Sequence, residues 1–212
     1  MASTITSRGQ ATRARIVEAA ADLILARGVG GTSLDDIRAR TATSKSQLFH
    51  YFPGGKSELV GAIAAFQSER VLRAQRPYLD TLDSWPAWQG WRDAVLAHYR
   101  TQPHWGCPIG ALASEVSGTD PALAAELAGH LDRWRIHLRD GLDRMRTAGL
   151  LRPDADPGRL SLAVFAALQG GLLLTQTMRS FEPLEAALDG ALSTLHGYAT
   201  GWPPGASPQS WT

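Results

Sequence analysis

Residues 32–56, TSLDDIRARTATSKSQLFHYFPGGK, decide the fold, because they read as two short helices joined by a tight turn. Thr32 or Ser33 is placed to cap the first helix. Asp35 and Asp36 lie in its first turn, where acidic side chains complement the helix dipole. The residues after this helix are small enough for a close connection. We therefore predict a first helix at 33–40 and a second helix soon after it.

The second short helix is polar on one side and apolar on the other. Ser44 is placed to cap it, and Leu48 and Phe52, four residues apart, point inward. A short helix with hydrogen-bond donors near its N-terminus suits the major groove of DNA, although two short amphipathic helices also occur in many other all-α proteins. The side chains left facing outward are Lys45, Ser46, Gln47, His50 and Tyr51.

Longer helices flank this unit on both sides. Residues 11–27 form an amphipathic helix that Gly28 ends, and another apolar helix follows Lys56. The whole stretch from about residue 10 to 65 resembles the N-terminal domain of the TetR family of transcriptional regulators. The residues that carry the resemblance are Ala19, Ala20, Leu23, Gly28, Thr32, Asp36, Ile37, Ser44, Leu48, Phe49, Tyr51, Phe52, Lys56 and Leu59.

The resemblance implies which residues contact DNA. The base-reading positions of the family fall on Lys45, Ser46 and Gln47. Lysine can donate to guanine acceptors, and glutamine can pair with an adenine edge. Lys56 stands where the family places a phosphate-binding lysine. The predicted DNA-binding residues are Thr32, Ser33, Ser44, Lys45, Ser46, Gln47, His50, Tyr51 and Lys56.

Three positions depart from the usual pattern of the family. Ala42 stands where the turn commonly has glycine, so a side chain must fit there. Phe49 replaces a tyrosine that contacts a backbone phosphate, and it has no hydroxyl to offer. Tyr51 replaces a histidine, so Tyr51 and His50 are the candidates for a substitute phosphate contact.

Proline and glycine divide the rest of the chain into further helices. Asp120 and Asp156 each precede a proline, which is the signature of a helix start, and Gly149 ends the helix between them. No strand pattern appears, so the predicted fold is all-α. It comprises an N-terminal three-helix helix-turn-helix DNA-binding domain at 10–56 and a six-helix-type ligand-binding and dimerisation domain at 57–200, with 1–9 and 201–212 disordered.

Charge and cysteine content narrow the function classes. The first 56 residues hold eight Lys or Arg against four acids, whereas the chain as a whole has a net charge of +1. A basic head on an acidic body fits a phosphate-binding end, although an excess this small also arises by chance. One cysteine allows no internal disulfide, and no secretory signal is seen, so we expect a cytoplasmic protein.

Catalytic and metal-binding patterns are weak. His98, His104 and Cys107 do not have the spacing of a familiar metal-ligand set. His104 and Cys107 alone are a poor match to a thiol nucleophile with its base. No phosphate-cradling glycine loop or dinucleotide fingerprint is present. We therefore expect no enzyme activity, no metal and no cofactor.

Residues 160–178, LSLAVFAALQGGLLLTQTM, are apolar enough to resemble a membrane span. A helix that is apolar all round can equally lie in the core of an assembly, which is the interpretation we favour over a membrane. In the TetR family the last two long helices of each subunit form a four-helix dimer bundle. The resemblance therefore implies a homodimer, with Gly170 and Gly171 allowing close approach of two backbones.

The aromatic residues of the body suggest a cavity for a small hydrophobic or aromatic effector. The alternative is that these residues simply fill the core or the dimer seam. The segment GCPIGALASE at 106–115 recurs in a branch of the family that controls drug-efflux genes, and there it covers the base of the ligand cavity. The predicted ligand-binding residues are Trp88, Trp91, His98, Trp105, Cys107, Trp134, Phe165 and Gln169.

Together these patterns predict a dimeric, ligand-responsive repressor that binds a double-stranded, pseudo-palindromic DNA operator. Two alternatives stay open. One is a nucleoid-type DNA-binding protein whose body binds no ligand, and the other is a helical protein that sequesters small molecules and no longer binds DNA.

Overall fold

The computed structural model describes residues 6–201, and its regular elements within that range are all helices. A single 3-10 turn, Tyr78–Asp80, and an isolated antiparallel bridge between Leu151 and Ala199 complete the described secondary structure. The helices are α1 (Ser7–Arg27), α2 (Leu34–Thr41), α3 (Lys45–Tyr51), α4 (Gly55–Ala74), α5 (Trp85–Thr101), α6 (Pro108–Val116), α7 (Pro121–Thr147), α8 (Pro157–Met178) and α9 (Glu182–His196). The all-α prediction is confirmed.

Most helix starts follow the predicted caps, but α1 begins earlier than expected. Thr6 caps α1 by accepting the Gly9 N–H at 3.3 Å, so the predicted disorder of 1–9 is wrong for the residues from Ser7 onward. Residues 1–5 and 202–212 lie outside the described residues. Helix α4 ends at Ala74, because Pro77 and the residue before it disfavour helical backbone.

The chain divides into two compact units. The head unit comprises the described residues up to Arg70 together with Pro108–Leu131, and the body unit comprises Val71–Cys107 and the described residues from Asp132 onward. A functional boundary at residue 56 stays a prediction, whereas the packing unit around the first helices is larger than 10–56.

The head unit has one apolar core to which five helices and the start of a sixth contribute. Its centre is built on α1 and on the inward side chains of α2 and α3, as the periodicity predicts. The corner between α6 and α7 adds four buried side chains that the sequence pattern did not assign to this domain. Core residues include Ile16, Ala20, Ile24, Ile37, Leu48, Phe52, Leu59, Ile63, Leu112, Val116, Leu123 and Leu127.

The body unit is organised around a buried glutamine. Gln75 Oε1 accepts the indole N–H groups of Trp91 at 2.7 Å and Trp134 at 2.9 Å, while its Nε2 donates to the Val71 carbonyl at 2.8 Å. The two indole bonds join the chain just after α4 to α5 and to the later part of α7, and the third bond ties Gln75 back to α4. Because both polar atoms of the Gln75 amide have hydrogen-bond partners, its burial does not incur the free-energy cost of an unpaired polar group.

Helix α8 is buried on one face and exposed on the other. Leu168 and Leu172 are fully buried in the body unit, whereas four large apolar side chains face outward: Leu162, Leu173, Leu174 and Met178. Among the described residues, α8 is the one helix with the length and composition of a membrane span, a test that core helices of soluble proteins also pass. An exposed apolar face of this size calls for a covering surface.

Candidate functional site

Helix α2 is fixed at its start by a capping box. The Asp36 N–H donates to Ser33 Oγ at 3.1 Å, and the Ser33 N–H donates to Asp36 Oδ2 at 2.8 Å. The hydrogen bonds from the Ser33 side chain and backbone, with a smaller contribution from the charge of Arg27, hold the pKa of Asp36 below its ordinary value. The carboxylate is therefore ionised at neutral pH and stabilises the helix N-terminus.

The turn after α2 contains the one departure from the family pattern that has a visible backbone consequence. Ala42 adopts φ 50° and ψ 42°, the left-handed conformation that glycine adopts at less cost. Its N–H donates to the Arg38 carbonyl, and Arg15 Nη1 donates to the Thr41 carbonyl at 2.6 Å. The turn thus keeps its tight geometry although it carries a side chain.

Helix α3 begins with a second capping box. The Gln47 N–H donates to Ser44 Oγ at 3.1 Å, and the Ser44 N–H donates to Gln47 Oε1 at 3.2 Å. Leu48 and Phe52 are each 1% exposed, which confirms that they anchor α3 to the head core. Because Gln47 Oε1 already has a donor, bidentate pairing of Gln47 with an adenine edge requires this cap to open.

The predicted DNA-binding residues fall into three groups by exposure. Tyr51 and Lys56 are half-buried, and the Tyr51 ring packs against the head core and meets the His50 ring edge-on, with centroids 5.0 Å apart. Thr32 is 1% exposed and its hydroxyl donates to the Gly28 carbonyl at 2.9 Å. The Thr32 side chain therefore supports the turn before α2, and its contact with DNA stays a prediction. The exposed members are Ser33, Ser44, Lys45, Ser46, Gln47 and His50.

An anchored short helix with exposed donors, preceded by a capped helix and a tight turn, is the helix-turn-helix arrangement. Comparisons with known proteins agree with this geometry. Residues 16–63 match the family model described as bacterial regulatory proteins, tetR family, and residues 89–191 match the one described as tetracyclin repressor-like, C-terminal domain. The chain belongs to the TetR family of transcriptional regulators.

Relatives and solved structures of the family cover nearly the whole chain. An uncharacterized HTH-type transcriptional regulator of Mycobacterium tuberculosis is 27% identical over 189 residues, which are 83% of this chain and 90% of the relative. The HTH-type transcriptional repressor DhaR of a Mycobacterium species is 25% identical over 178 residues, covering 83% and 88%. The crystal structure of a TetR transcriptional regulator from Chloroflexus aurantiacus, 26% identical, superposes with a TM-score of 0.77 over 92% of this chain and 98% of that one.

In this TetR-family chain, four predicted effector residues belong to one aromatic group in the body unit. Trp88 and Trp91 meet edge-on at 5.5 Å between ring centroids, and Trp134 and Phe165 do so at 5.4 Å. The bonds of Trp91 and Trp134 to Gln75 link the two pairs. Trp88, Trp91 and Trp134 are at most 1% exposed, so they form the interior of the body unit.

The other predicted effector residues are not all part of this group. Trp105 is half-buried and stacks on Phe181, with 5.0 Å between ring centroids. Cys107 is buried and faces the Tyr99 hydroxyl; burial first, and then the neighbouring thiol, raises the pKa of Tyr99 well above its ordinary value. His98 and Gln169 are half-buried on α5 and α8. The structure thus brings four of the eight residues into one aromatic group, and their contact with an effector stays a prediction.

Polar atoms without partners identify where the body interior is incompletely satisfied. Within residues 6–201, Trp88 Nε1, Gln169 Nε2 and Thr175 Oγ1 are buried and lack a hydrogen-bond partner. Native interiors leave few such atoms, because each costs about 1–3 kcal/mol. Trp88 and Gln169 were predicted from the sequence as effector contacts. Gln75 and Thr175 were not predicted as polar groups of the body interior, because nothing in their local pattern distinguishes them.

A groove on the surface of the body unit contains none of the predicted effector residues. It encloses about 630 Å³ between the start of α5 and α9, and the Trp85 ring stacks on His196 beside it with 4.0 Å between centroids. Its lining residues are Trp85, Pro86, Gln89, Asp189, Leu192, Ser193 and His196.

Proposed function

We propose that this TetR-family regulator is a cytoplasmic homodimeric repressor that binds a pseudo-palindromic operator and is released by a small hydrophobic or aromatic effector. The observation that carries the proposal is α3, a helix capped at its start, anchored by two buried side chains and lined outward by donors. DhaR, a relative over most of the chain, bears the name of a repressor, which favours repression over activation.

Within the proposed interface, side chains divide by role. Lys45, Ser46 and Gln47 lie in the first turn of α3 and are exposed, so they are the candidates for base contacts in the major groove. Lys56, in the first turn of α4, would donate to a backbone phosphate, which fixes position without reading sequence. Gln47 contributes through its Nε2 group while its Oε1 keeps the cap of α3.

The homodimer is proposed to form through α8 and α9. The outward leucines of α8, each more than half exposed, need a covering surface, and a second copy supplies an identical one. Beside them, small residues line a shallow groove of about 210 Å³ between α8 and α9, which would admit side chains of the partner. A two-fold dimer would place two α3 helices on half-sites about one helical turn of DNA apart.

The proposed effector site is the aromatic interior of the body unit. Trp88 Nε1 is a buried donor with no acceptor within residues 6–201, so the favoured effector combines a flat apolar frame with an oxygen or nitrogen acceptor. The effector must bind the DNA-released state more tightly, and moving the population from 1:99 to 99:1 needs about 5.5 kcal/mol of preference. Helix α4 is the covalent connection through which effector binding would act on the DNA-binding helices, because its residues belong to both units.

The proposal is tested on DNA from both sides of the coding region. Fluorescence anisotropy should show that an inverted repeat in this DNA is bound at least about 1,000-fold more tightly than a scrambled sequence at the same salt concentration. Planar hydrophobic compounds with hydrogen-bond acceptors should quench tryptophan emission and release the DNA. Equal affinity for all sequences would support the nucleoid-type alternative and contradict operator binding; release by no compound of a broad panel would contradict the effector.

A further inference from the structure

The turn between α1 and α2 is held by a carboxylate from a distant part of the chain. The backbone N–H groups of Val29 and Gly30 donate to Glu115 Oε2 at 2.6 and 3.3 Å. A Cβ atom at Gly28 would lie 2.9 Å from that oxygen, and Gly28 has φ +80°, so glycine both forms the turn and leaves room for the carboxylate. The geometry of this turn, which leads directly into α2, therefore depends on Glu115.

A second carboxylate holds the other end of the helix-turn-helix. Ser57 Oγ, in the first turn of α4, donates to Asp120 Oδ2 at 2.5 Å. Asp120 also caps α7, since its Oδ1 accepts the Leu123 N–H at 3.0 Å. The hydrogen bonds from Ser57 and then from Leu123 hold the pKa of Asp120 below its ordinary value, so this contact is charge-assisted at neutral pH.

Both carboxylates are carried by a corner that is itself fixed in the head unit. Leu112 and Val116 of α6 and Leu123 of α7 are at most 5% exposed and belong to the same apolar cluster as α1–α4. Glu115 and Asp120 stand on either side of this packed corner, five positions apart. Their carboxylates therefore reach the two ends of the helix-turn-helix from one packed corner of the head unit.

We propose that Glu115 and Asp120 are positioning residues for operator binding, which hold both ends of residues 30–57 and so fix the orientation of α3. This inference rests on the proposed DNA-binding function. Negative charges this close to a DNA-binding unit would by themselves oppose binding to phosphate. Any favourable contribution of Glu115 and Asp120 to DNA binding must therefore come from positioning and not from their charge. The test separates these two effects.

The test compares two variants that remove the same charge. Glu115→Gln weakens the contact to Val29 and Gly30, whereas Glu126→Gln is the control, because Glu126 is an exposed α7 carboxylate with no hydrogen bond within residues 6–201. Electrostatics alone predicts slightly tighter DNA binding for both. Positioning predicts that Glu115→Gln binds the inverted repeat roughly tenfold more weakly, the effect of one charge-assisted hydrogen bond, and binds scrambled DNA unchanged.

A third variant addresses the other clamp without changing charge. Ser57→Ala removes the donor to Asp120 Oδ2 and leaves the α7 cap intact. It should weaken inverted-repeat binding by about threefold, and it should add to Glu115→Gln in the double variant. If circular dichroism shows that Glu115→Gln has lost helix, the Ser57→Ala variant alone decides. The proposal is then overturned if Ser57→Ala binds the inverted repeat as tightly as the unaltered protein does.

Hydrogen exchange tests the same inference without DNA. In Glu115→Gln the amides of Val29, Gly30 and the α2–α3 segment should exchange roughly tenfold faster, whereas Glu126→Gln should match the unaltered protein. Unchanged exchange in Glu115→Gln, or inverted-repeat affinity equal to that of Glu126→Gln, overturns the positioning role. If the unaltered protein selects no inverted repeat, the proposed function fails, and the exchange comparison still decides whether the clamps hold the helix-turn-helix.

Discussion

The two short helices of the head unit are capped by hydrogen bonds between residues close in sequence, whereas the buried indoles of the body unit bond over long distances or have no partner within the described residues. Ser33 pairs with Asp36, and Ser44 pairs with Gln47, three residues apart in both cases. In the body, Gln75 bonds to Trp91 and Trp134, 16 and 59 residues away, and buried Trp88 has an indole N–H without a partner within the described residues. The caps therefore hold α2 and α3 in a preformed helix-turn-helix, whereas the body keeps a buried donor that the proposed effector would use.

The largest expected effect tests the long-range pairing of the body. Gln75→Leu leaves two buried indole N–H groups without an acceptor, which should lower the free energy of unfolding by about 2–5 kcal/mol in urea denaturation. Because Trp91→Phe removes one of these donors, the loss in the double variant should be about 1 kcal/mol smaller than the sum of the two single losses. A Gln75→Leu protein as stable as the unaltered one would contradict the organising role of Gln75.

The next effect tests whether the exposed face of the head reads sequence. Gln47→Ala should cost about 1–3 kcal/mol on the operator and little on random DNA, because a base contact carries sequence information. Lys56→Ala should weaken binding to all sequences alike and lower the salt slope by about one unit, because a phosphate contact carries none. Binding titrations at several salt concentrations on operator and random DNA separate the two results. Equal losses of affinity for both variants on both DNAs would contradict the distinction between a base contact by Gln47 and a phosphate contact by Lys56.

A smaller effect tests the local pairing of the head by its pH dependence. The pKa of Asp36 is lower in the folded protein, so its contribution to stability is present above the ordinary value of 3.8 and is lost as the pH falls through the folded value. Asp36→Asn should therefore lower the urea midpoint equally at pH 5 and pH 7, and the difference should vanish under more acidic conditions. Ser33→Ala should cost about 1 kcal/mol at neutral pH. A deficit of Asp36→Asn that grows on acidification would contradict the assignment.

The smallest effect concerns the left-handed turn. Ala42→Gly relieves about 1–2 kcal/mol of backbone strain and loses part of this to greater freedom in the unfolded chain, for a net gain of up to about 1 kcal/mol. Ala39→Gly, within helical α2, is the matched control and should cost about 1 kcal/mol. Thermal unfolding should shift in opposite directions for the two variants.

The difference between local and long-range contacts explains which features the sequence predicts. The caps Ser33, Ser44 and Asp156 and the inward residues Leu48 and Phe52 follow from local spacing, and the structure confirms them. The contacts of Glu115 and Asp120 join segments far apart in sequence, so no local pattern reveals them. Thr32 illustrates the same limit, since its position suits a DNA contact but tertiary packing buries it.

The body was less predictable for a related reason. Helical periodicity shows that a tryptophan lies inward but not whether its N–H has a partner. Trp88 and Trp91 are both fully buried on α5. The Trp91 N–H donates to Gln75, whereas the Trp88 N–H has no hydrogen-bond acceptor within residues 6–201. That difference depends on which elements α5 meets in the folded body. Effector contacts therefore stay a prediction, while the location of the helices is confirmed.

Methylation interference on the operator tests the central claim most directly, namely that the outer face of α3 enters the major groove. Guanine N7 lies in that groove, so its methylation within each half-site should block binding, with two interference patches about one helical turn apart. Lys45→Ala should lose sensitivity at the guanine that Lys45 contacts. Binding that tolerates N7 methylation throughout both half-sites would contradict the account.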